Sequence, residues 1–450
     1  MRILWLKSDL LLPLDKGGKL RTWHLLRHLA ARHEVTYLAF TAPDTAQADI
    51  DGMKEVAAEV QTVVRSDPAK GSWRFYADAA VHLVDPLPYA VGKYRSAAFR
   101  RRLDDLLQQR AFDLIVCDFL FPAVNLPRRL PCPAVIFTHN VESEIWRRYV
   151  ETAATPVSRW LYSMQHARML RFEERTLRRF DGVLAVSAAD RSTFVQLYPG
   201  ALHGPVHVVP TGVDTEYFTA APSDPQSREL VFTGSMDWLP NEDAMLFFCR
   251  EVLPRVCEAE PGVTLSIVGR TPTPAVSRLA ATGVRVTGRV DDVRPYVRDG
   301  AVYVVPLRIG GGTRLKIFEA MAMGRAVVST SVGAEGLPVT GGEHLVIADG
   351  IEAFARETVR LLRDIEHRRR IEAAARALVV DCYDWSAVAG DLETALLRVA
   401  ERGRAESAHV VVRPGGTAVS GPAAANLMNP TLPDVRAGRR ASTRITVGGR

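Results

Sequence analysis

Residues Val302–Thr330 read VYVVPLRIGGGTRLKIFEAMAMGRAVVST, and this stretch decides the fold. The apolar run Val302–Pro306 has the length of a buried strand and leads into three consecutive glycines, Gly310, Gly311 and Gly312. A helix is predicted from Arg314 to Met323, capped by Thr313 and stopped by Gly324, and a second apolar strand, Ala326–Thr330, follows. Such a strand–turn–helix–strand unit gathers backbone N–H groups and the positive end of a helix dipole at one point, where they meet an anion. Leu315, Phe318 and Ala322 fall at core spacing, with Met321 beside them; Lys316 and Glu319 share another face. An ammonium beside the glycine turn suits a phosphate, and a carboxylate one turn deeper suits sugar hydroxyls. A tight turn with an ion pair on a solvated helix is the blander alternative.

The same architecture occurs at the start of the chain. Arg2–Leu6 reads as a strand, Gly17-Gly18 as a turn, Leu20–Ala31 as a helix and His33–Phe40 as the next strand. Lys19 and Arg21 stand at that helix start, so a ligand contact and a tight turn fit Gly17-Gly18 equally. Helical patterns are predicted over 50–60 and 93–110, and strands over Phe112–Cys117 and Ala134–Thr138. The second of these strands ends in His139-Asn140-Val141-Glu142, a polar cluster where parallel sheets place ligands. His139 there is either a hydrogen-bonding or acid–base group or a histidine packed at a strand end. A basic amphipathic stretch spans Thr155–Phe180, and strands Gly182–Ser187 and Val206–Pro210 close the first half. Pro210–Pro225 shifts to turn residues. Beyond it come strand Glu229–Thr233 followed by Gly234, helix Ala244–Cys257, strand Thr264–Val268 with Gly269-Arg270, and strand Val284–Thr287 with Gly288-Arg289-Val290. Asp291-Asp292 is read as a helix cap, and no metal ligand is assigned. Helices are predicted over Ile351–Leu378 and Ser386–Arg402.

The expected fold class is α/β with two Rossmann-like domains facing across a cleft. The first covers 1–212, a linker 213–228, the second 229–383, a helix at 384–404 is expected to cross back to the first domain, and a disordered basic tail covers 405–450. With 450 residues the chain is long enough for such domains. Net charge is +6, but residues 401–450 hold eight arginines against three acidic residues, leaving a nearly neutral body with 49 basic and 48 acidic side chains. The basic pI is therefore no argument for nucleic acid. Five scattered cysteines without metal spacing read as buried thiols of a reducing compartment. No apolar run is long enough to span a bilayer, and the N-terminus lacks the pattern of a signal peptide, so a cytoplasmic location is expected. The spacings of Walker A, the dinucleotide fingerprint GxGxxG, the GxSxG elbow and zinc motifs are all absent.

These motifs resemble the GT-B-fold glycosyltransferases of family 4 type. The matching text is VPTGVD (Val209–Asp214), FTGSMDWLPNEDA (Phe232–Ala244), SIVGRTP (Ser266–Pro272), VTGRVDDVRPY (Val286–Tyr296), Val305–Thr330, Gly17–Val35 and THNVES (Thr138–Ser143). Within the family the chain looks most similar to sugar transferases of exopolysaccharide and PEP-CTERM/exosortase systems. The resemblance implies a retaining glycosyltransferase using a nucleotide-diphosphate sugar, with no bound cofactor or metal, acting on a lipid-linked or saccharide acceptor. By position, Glu319 would bind ribose hydroxyls, and Arg314 and Lys316 would neutralise the diphosphate with the Gly310–Thr313 amides and Gly17-Gly18. Gly234 and Arg270 would line the donor site, the Gly288-Arg289-Val290 backbone would read the base, and His139 would contact the donor sugar. Two departures stand out. The first Glu of the family's E-x7-E motif is replaced by Gly311, and SMDWLPN replaces the usual Arg/Lys pair after the second domain's first strand. A nucleotide-sugar epimerase and a non-catalytic nucleotide-sugar-binding protein are the competing readings. An anionic membrane surface is a possible further partner, suggested by the basic stretches 93–102 and 159–179.

Overall fold

The computed structural model describes residues 1–14, 17–66, 72–73, 85–222, 224–309 and 315–411, with side chains through 403. Two all-parallel sheets form the framework. The first runs β3-β2-β1-β4-β5-β6-β7, built from β1 (Arg2–Lys7), β2 (Glu34–Thr41), β3 (Glu59–Val64), β4 (Leu114–Asp118), β5 (Ala134–Phe137), β6 (Gly182–Ala185) and β7 (Val206–Val208). The second runs β10-β9-β8-β11-β12-β13, from β8 (Glu229–Thr233), β9 (Thr264–Val268), β10 (Val284–Val286), β11 (Val302–Val305), β12 (Ala326–Ser329) and β13 (Val346–Ile347). Both carry the doubly wound order in which the first strand lies centrally and the chain reverses direction beside it. In each sheet that reversal falls next to the first strand, between β1 and β4 and between β8 and β11.

Helices cover both faces, so the central strands are continuous apolar runs rather than alternating ones. In β1, Ile3 and Trp5 enter one buried layer with Leu25, Leu29 and Val209, while Leu4 and Leu6 enter the other with Phe99, Ile136 and Phe180. The second domain shares one core around Phe232, Val304, Phe318 and Phe354.

The two domains are joined by two adjacent passages of chain. Val213 bridges Asp384, with the Val213 amide donating to Tyr383 O at 2.8 Å and the Trp385 amide to Val213 O at 3.2 Å. The helix Trp385–Val411 that follows is part of the first domain's core: Trp385, Val388, Leu392, Leu396 and Val399 pack with Leu29 and Val135. Close approach demands glycine at Gly212, where a Cβ would lie 2.6 Å from the Trp385 ring.

Several local expectations are corrected. The helical pattern over 50–60 is a short helix, Gln47–Gly52, one 3-10 turn and then β3, whose EVQTVV sequence suits a half-buried edge strand. The Ile351–Leu378 stretch is two helices, Ile351–Arg363 and Ile365–Cys382, separated by Asp364, whose carboxylate accepts the His367 amide at 2.9 Å. The helix expected from Ala244 already starts at Leu239. The last helix continues to Val411 instead of ending near Arg402, and the rest of the expected disordered tail lies outside the described residues. Asp292 accepts the Arg294 amide at 2.9 Å and pairs with its guanidinium, so it braces the start of the Arg294–Asp299 helix from position two before it. Of the cysteines expected to be buried, only Cys117 is; Cys132, Cys249 and Cys257 are half-buried, Cys382 is exposed, and all five thiols are free. Among the described residues no helix is long and apolar enough to cross a membrane.

Candidate active site

Parallel sheets present ligand-binding groups at the C-terminal ends of their strands, beside the point where strand order reverses. In the first domain that position holds Lys7 at the end of β1, Asp118 at the end of β4 and His139 just past β5. The Asp118 carboxylate is fully buried and saturated. Oδ2 accepts from Lys7 Nζ at 2.9 Å, Thr22 Oγ1 at 2.7 Å and Trp5 Nε1 at 3.0 Å, and Oδ1 lies 2.7 Å from His139 Nε2. Burial alone would raise this carboxyl, but Lys7 and His139 hold it below the ordinary carboxylate range. Burial pushes the His139 imidazole down to about 4 despite its carboxylate partner, so it is neutral at pH 7.

That charge state fixes the tautomer. A neutral imidazole beside a carboxylate carries its proton on Nε2, which leaves Nδ1 as a bare acceptor. The helix expected from Leu20 already begins at Gly17, so Gly17 and Gly18 form its first turn, and Nδ1 faces that helix start, where a Cβ on Gly18 would sit 3.6 Å from it. The sequence reading allowed His139 to donate; its N–H is spent on Asp118, and toward the turn it offers a lone pair.

The Gly17–Ala30 helix is anchored to the interdomain passage. The Arg21 guanidinium is buried 4.4 Å over the Phe137 ring and donates to Val209 O and, at 3.5 Å, to Pro210 O. Burial lowers it to about 9, and it remains a cation at neutral pH. The HNVES segment is held from below by Glu173, whose buried carboxylate accepts from the amides of Glu142 at 3.0 Å and Ser143 at 3.2 Å and from Tyr198 Oη at 2.6 Å. Burial, with Glu173 close by, pushes the Glu142 carboxyl up to about 8.

In the second domain, Lys316 Nζ lies over the Phe232 ring at 4.1 Å and donates to Asn241 Oδ1 at 2.9 Å. Asn241 is itself oriented by donating to Ser235 O at 2.8 Å. Gly234 makes room for both: a Cβ there would lie 2.6 Å from Asn241 Nδ2 and 2.8 Å from Lys316 Nζ. Arg270 joins this rim through Nε to Ser235 Oγ at 3.0 Å. Glu319, one turn into the Leu315–Ala322 helix, is raised to about 7 by burial against the pull of Lys316. Its raised folded-state value means that its stabilising contribution is complete below the ordinary carboxyl range and is lost as pH rises through about 7.

The domains meet at this point. A Cβ on Gly17 would be 3.2 Å from Leu315 Cδ1, so the start of the Gly17–Ala30 helix in one half abuts the first turn of the helix bearing Lys316 and Glu319. Leu315 thus lines the cleft instead of the core. Gly17, Gly18 and His139 gather on one wall, and Gly234, Arg270, Lys316 and Glu319 on the other. Gly288, Arg289 and Val290 follow β10, farther along the same sheet edge, with Gly288 O accepting the Gly269 amide at 3.2 Å. Gly310, Gly311, Gly312, Thr313 and Arg314 lie outside the described residues.

Sequence reasoning missed Lys7, Thr22, Asp118 and Asn241. The signal for Asp118 was present: it follows the apolar run FDLIVC directly, as His139 follows its own strand. Asn241 was hidden because the helix that carries it was expected to start only at Ala244.

Two doubly wound halves sharing one cleft at their strand ends define the GT-B class. A family model described as Glycosyltransferase Family 4 matches residues 16–217, and one described as Glycosyl transferases group 1 matches 227–364. Together they span most of the chain, which belongs to the GT-B glycosyltransferases of family 4 type. Among relatives, phosphatidyl-myo-inositol mannosyltransferase of Mycobacterium tuberculosis is 32% identical over 200 residues, 41% of this chain and 52% of that protein. An uncharacterized 44.6 kDa protein in the cps region of Klebsiella pneumoniae is 26% identical over 170 residues, 36% of this chain and 44% of that protein. The chain spans about half the length of these curated relatives. Among solved structures, Anabaena HepE in complex with UDP and glucose superposes with a TM-score of 0.60 at 15% identity, covering 88% of this chain and all of that one. Sucrose-phosphate synthase of Thermosynechococcus elongatus gives 0.61 at 16% identity, covering 91% of this chain and all of that one. At such identities the likeness is one of fold.

Proposed function

We propose that the chain is a retaining, metal-independent glycosyltransferase that moves a sugar from a nucleotide-diphosphate donor to a lipid-linked or saccharide acceptor in cell-surface glycan synthesis. The observation that carries this reading is the meeting of the glycine-started N-terminus of the Gly17–Ala30 helix and His139 with the helix bearing Lys316 and Glu319. A diphosphate leaving group accumulates negative charge as the glycosidic C1–O bond breaks. Lys316 and the N-terminal end of its helix offset that charge without reorganising. Glu319, as carboxylate, accepts the ribose hydroxyls, and His139 Nδ1 accepts from a donor-sugar hydroxyl. The acceptor oxygen then bonds to C1 on the face the diphosphate leaves, and its proton passes to the departing phosphate oxygen. The UDP bound by HepE supports a nucleotide donor, and the phosphatidylinositol named for the mycobacterial relative supports a lipid acceptor.

Incubation with labelled UDP-, GDP- and dTDP-sugars, membrane lipid extract and EDTA tests this. Transfer to lipid or oligosaccharide in EDTA is expected. Sugar conversion without acceptor would establish the epimerase instead. Donor binding without turnover, the outcome to which Gly311 in place of a carboxylate points, would establish a binding protein.

The Glu319 value sets a pH dependence. Donor affinity should rise with pH through about 7 as the carboxylate forms, weakening up to about tenfold per unit below it. Glu319→Gln should flatten that slope in calorimetric titrations; an unchanged slope removes Glu319 from the ribose site.

The helical pair Glu142–Glu151 and Pro156–Leu177 supports peripheral attachment to the cytoplasmic membrane face. Val157 and Trp160 are 75% and 64% exposed near its tip, with Tyr149 and Arg159. Tryptophan beside arginine suits an anionic lipid interface. Trp160→Ala should reduce flotation with anionic liposomes severalfold, and equal flotation of both proteins rejects the attachment.

A further inference from the structure

Immediately after Asp118 the backbone leaves the extended path of β4. Phe119 has a φ of 87°, in the left-handed region that a bulky side chain rarely enters. The conformation is held from two directions. The Phe119 amide donates to Phe137 O at 2.8 Å, prolonging the ladder between β4 and β5, and the Phe119 carbonyl accepts from Cys117 Sγ at 3.4 Å. Strain of this kind persists only where its surroundings dictate it, and it gathers at functional sites.

The turn decides where the ring goes. Along β4, Leu114 and Val116 enter the layer with Trp5, and Ile115 and Cys117 enter the opposite layer with Phe99. Continued alternation would send Phe119 after Cys117. The left-handed turn sets its ring against the His139 imidazole, with centroids 5.1 Å apart and planes at 53°, and 4.7 Å from the Phe121 ring on its other side. The ring is half-buried at the C-terminal end of the sheet, beside the imidazole whose Nδ1 faces the start of the Gly17–Ala30 helix. As packing alone this is a costly arrangement, because glycine adopts the same backbone without strain and a half-buried ring removes only part of its area from water.

As a ligand contact the ring has a defined chemistry. Its π face is electron-rich, and the C–H face of a pyranose carries slightly positive hydrogens that suit it, leaving the hydroxyls on the sugar's rim free for hydrogen bonds. The donor's diphosphate and ribose are assigned to the opposite wall, at Lys316 and Glu319. The reactant left for the first-domain wall is the acceptor. Given the glycosyl transfer proposed above, on which this rests, we propose that Phe119 is the platform for the acceptor's reacting sugar ring. The reacting unit of the acceptor is then a pyranose, carried by a free saccharide or by a lipid, and not a bare lipid phosphate.

Saturation-transfer NMR on the full chain, loaded with whichever of UDP, GDP and dTDP it binds, tests this with maltose, octyl β-D-glucopyranoside and the ringless octyl phosphate as probes. The unaltered chain is expected to bind a glycoside with saturation concentrated on the C–H protons of one sugar face. Phe119→Gly, which relieves the backbone, should weaken that binding about five- to tenfold while nucleotide affinity by calorimetry stays within twofold and the melting temperature does not fall. Phe119→Leu, with apolar bulk but no π face, should show the same loss and covers the case in which glycine disturbs the fold. Phe119→Tyr should retain the binding. Loss confined to maltose identifies a free saccharide, and loss confined to octyl glucoside a lipid-linked one. Glycoside binding equal in Phe119→Gly and Phe119→Leu to that of the unaltered chain, or absent from the unaltered chain, overturns the platform; an equal loss of octyl phosphate assigns the ring to an alkyl chain and also overturns it. Because the readout is binding, a chain that holds glycosides through Phe119 yet transfers no sugar refutes the transfer and keeps the platform.

Discussion

Asp118→Asn is expected to lower turnover by about two to three orders of magnitude while leaving donor affinity within a few fold. The amide retains the shape of the carboxylate but not its charge, so it no longer dictates which imidazole nitrogen carries the proton. His139 can then turn an N–H toward Gly18 at the start of the Gly17–Ala30 helix, where the wild-type protein presents a lone pair. The substitution also strands Lys7, which is only 3% exposed and bonded to Asp118 and Thr22. Breaking a buried pair from one side costs about 3–5 kcal/mol of stability. The two effects separate in the double variant Lys7→Met/Asp118→Asn. Removing both charges should restore most of the melting temperature, whereas turnover stays low because nothing holds the tautomer. Recovery of turnover together with stability would reduce Asp118 to a structural role. Normal turnover in the single variant would remove His139 from the chemistry altogether.

The second large effect is expected at Lys316. Its ammonium is held by Asn241 and by the Phe232 ring above the end of β8, a position reserved by the missing side chain of Gly234. Lys316→Ala should weaken donor binding about 30- to 100-fold, the effect of deleting about 2–3 kcal/mol of charge-assisted hydrogen bonding. Lys316→Arg should recover little, since a planar fork does not fit a slot shaped for a single nitrogen between Gly234 and Asn241. Gly234→Ala should reproduce much of the defect with the lysine still present, because its Cβ would fall within 3 Å of both partners. Calorimetry with the nucleotide sugar reads all three, and wild-type affinity in Lys316→Ala and Gly234→Ala together would overturn the diphosphate assignment.

Sequence periodicity sufficed for most of the buried strands, because parallel strands covered on both faces are short uninterrupted apolar runs. It failed at β3, where Val60 and Thr62 are only half covered and the pattern resembles a helix surface. The two-residue β13 offers no period at all. The candidate site was legible only where it consists of local motifs: Lys316 and Glu319 share a turn, and His139 ends a strand. Lys7 and Asp118 escaped because each looks like the last residue of an apolar run. Their significance comes from parallel pairing of β1 with β4, which sets Lys7 opposite Asp118 across a separation of more than 100 residues.

The last helix also governs the order in which the protein can be made. Trp385, Leu392 and Val399 complete the apolar layer beneath Leu29 and Val135, so the domain translated first lacks part of its interior until translation has passed residue 400. The second domain, whose sheet lies wholly within 229–347, has no such dependence. At about 5–20 residues per second, the roughly 170 residues between β8 and Ala400 keep that layer open for about 10–35 seconds. The younger domain therefore folds before the older one is finished. During that interval the nascent first domain exposes the apolar face that the last helix later covers.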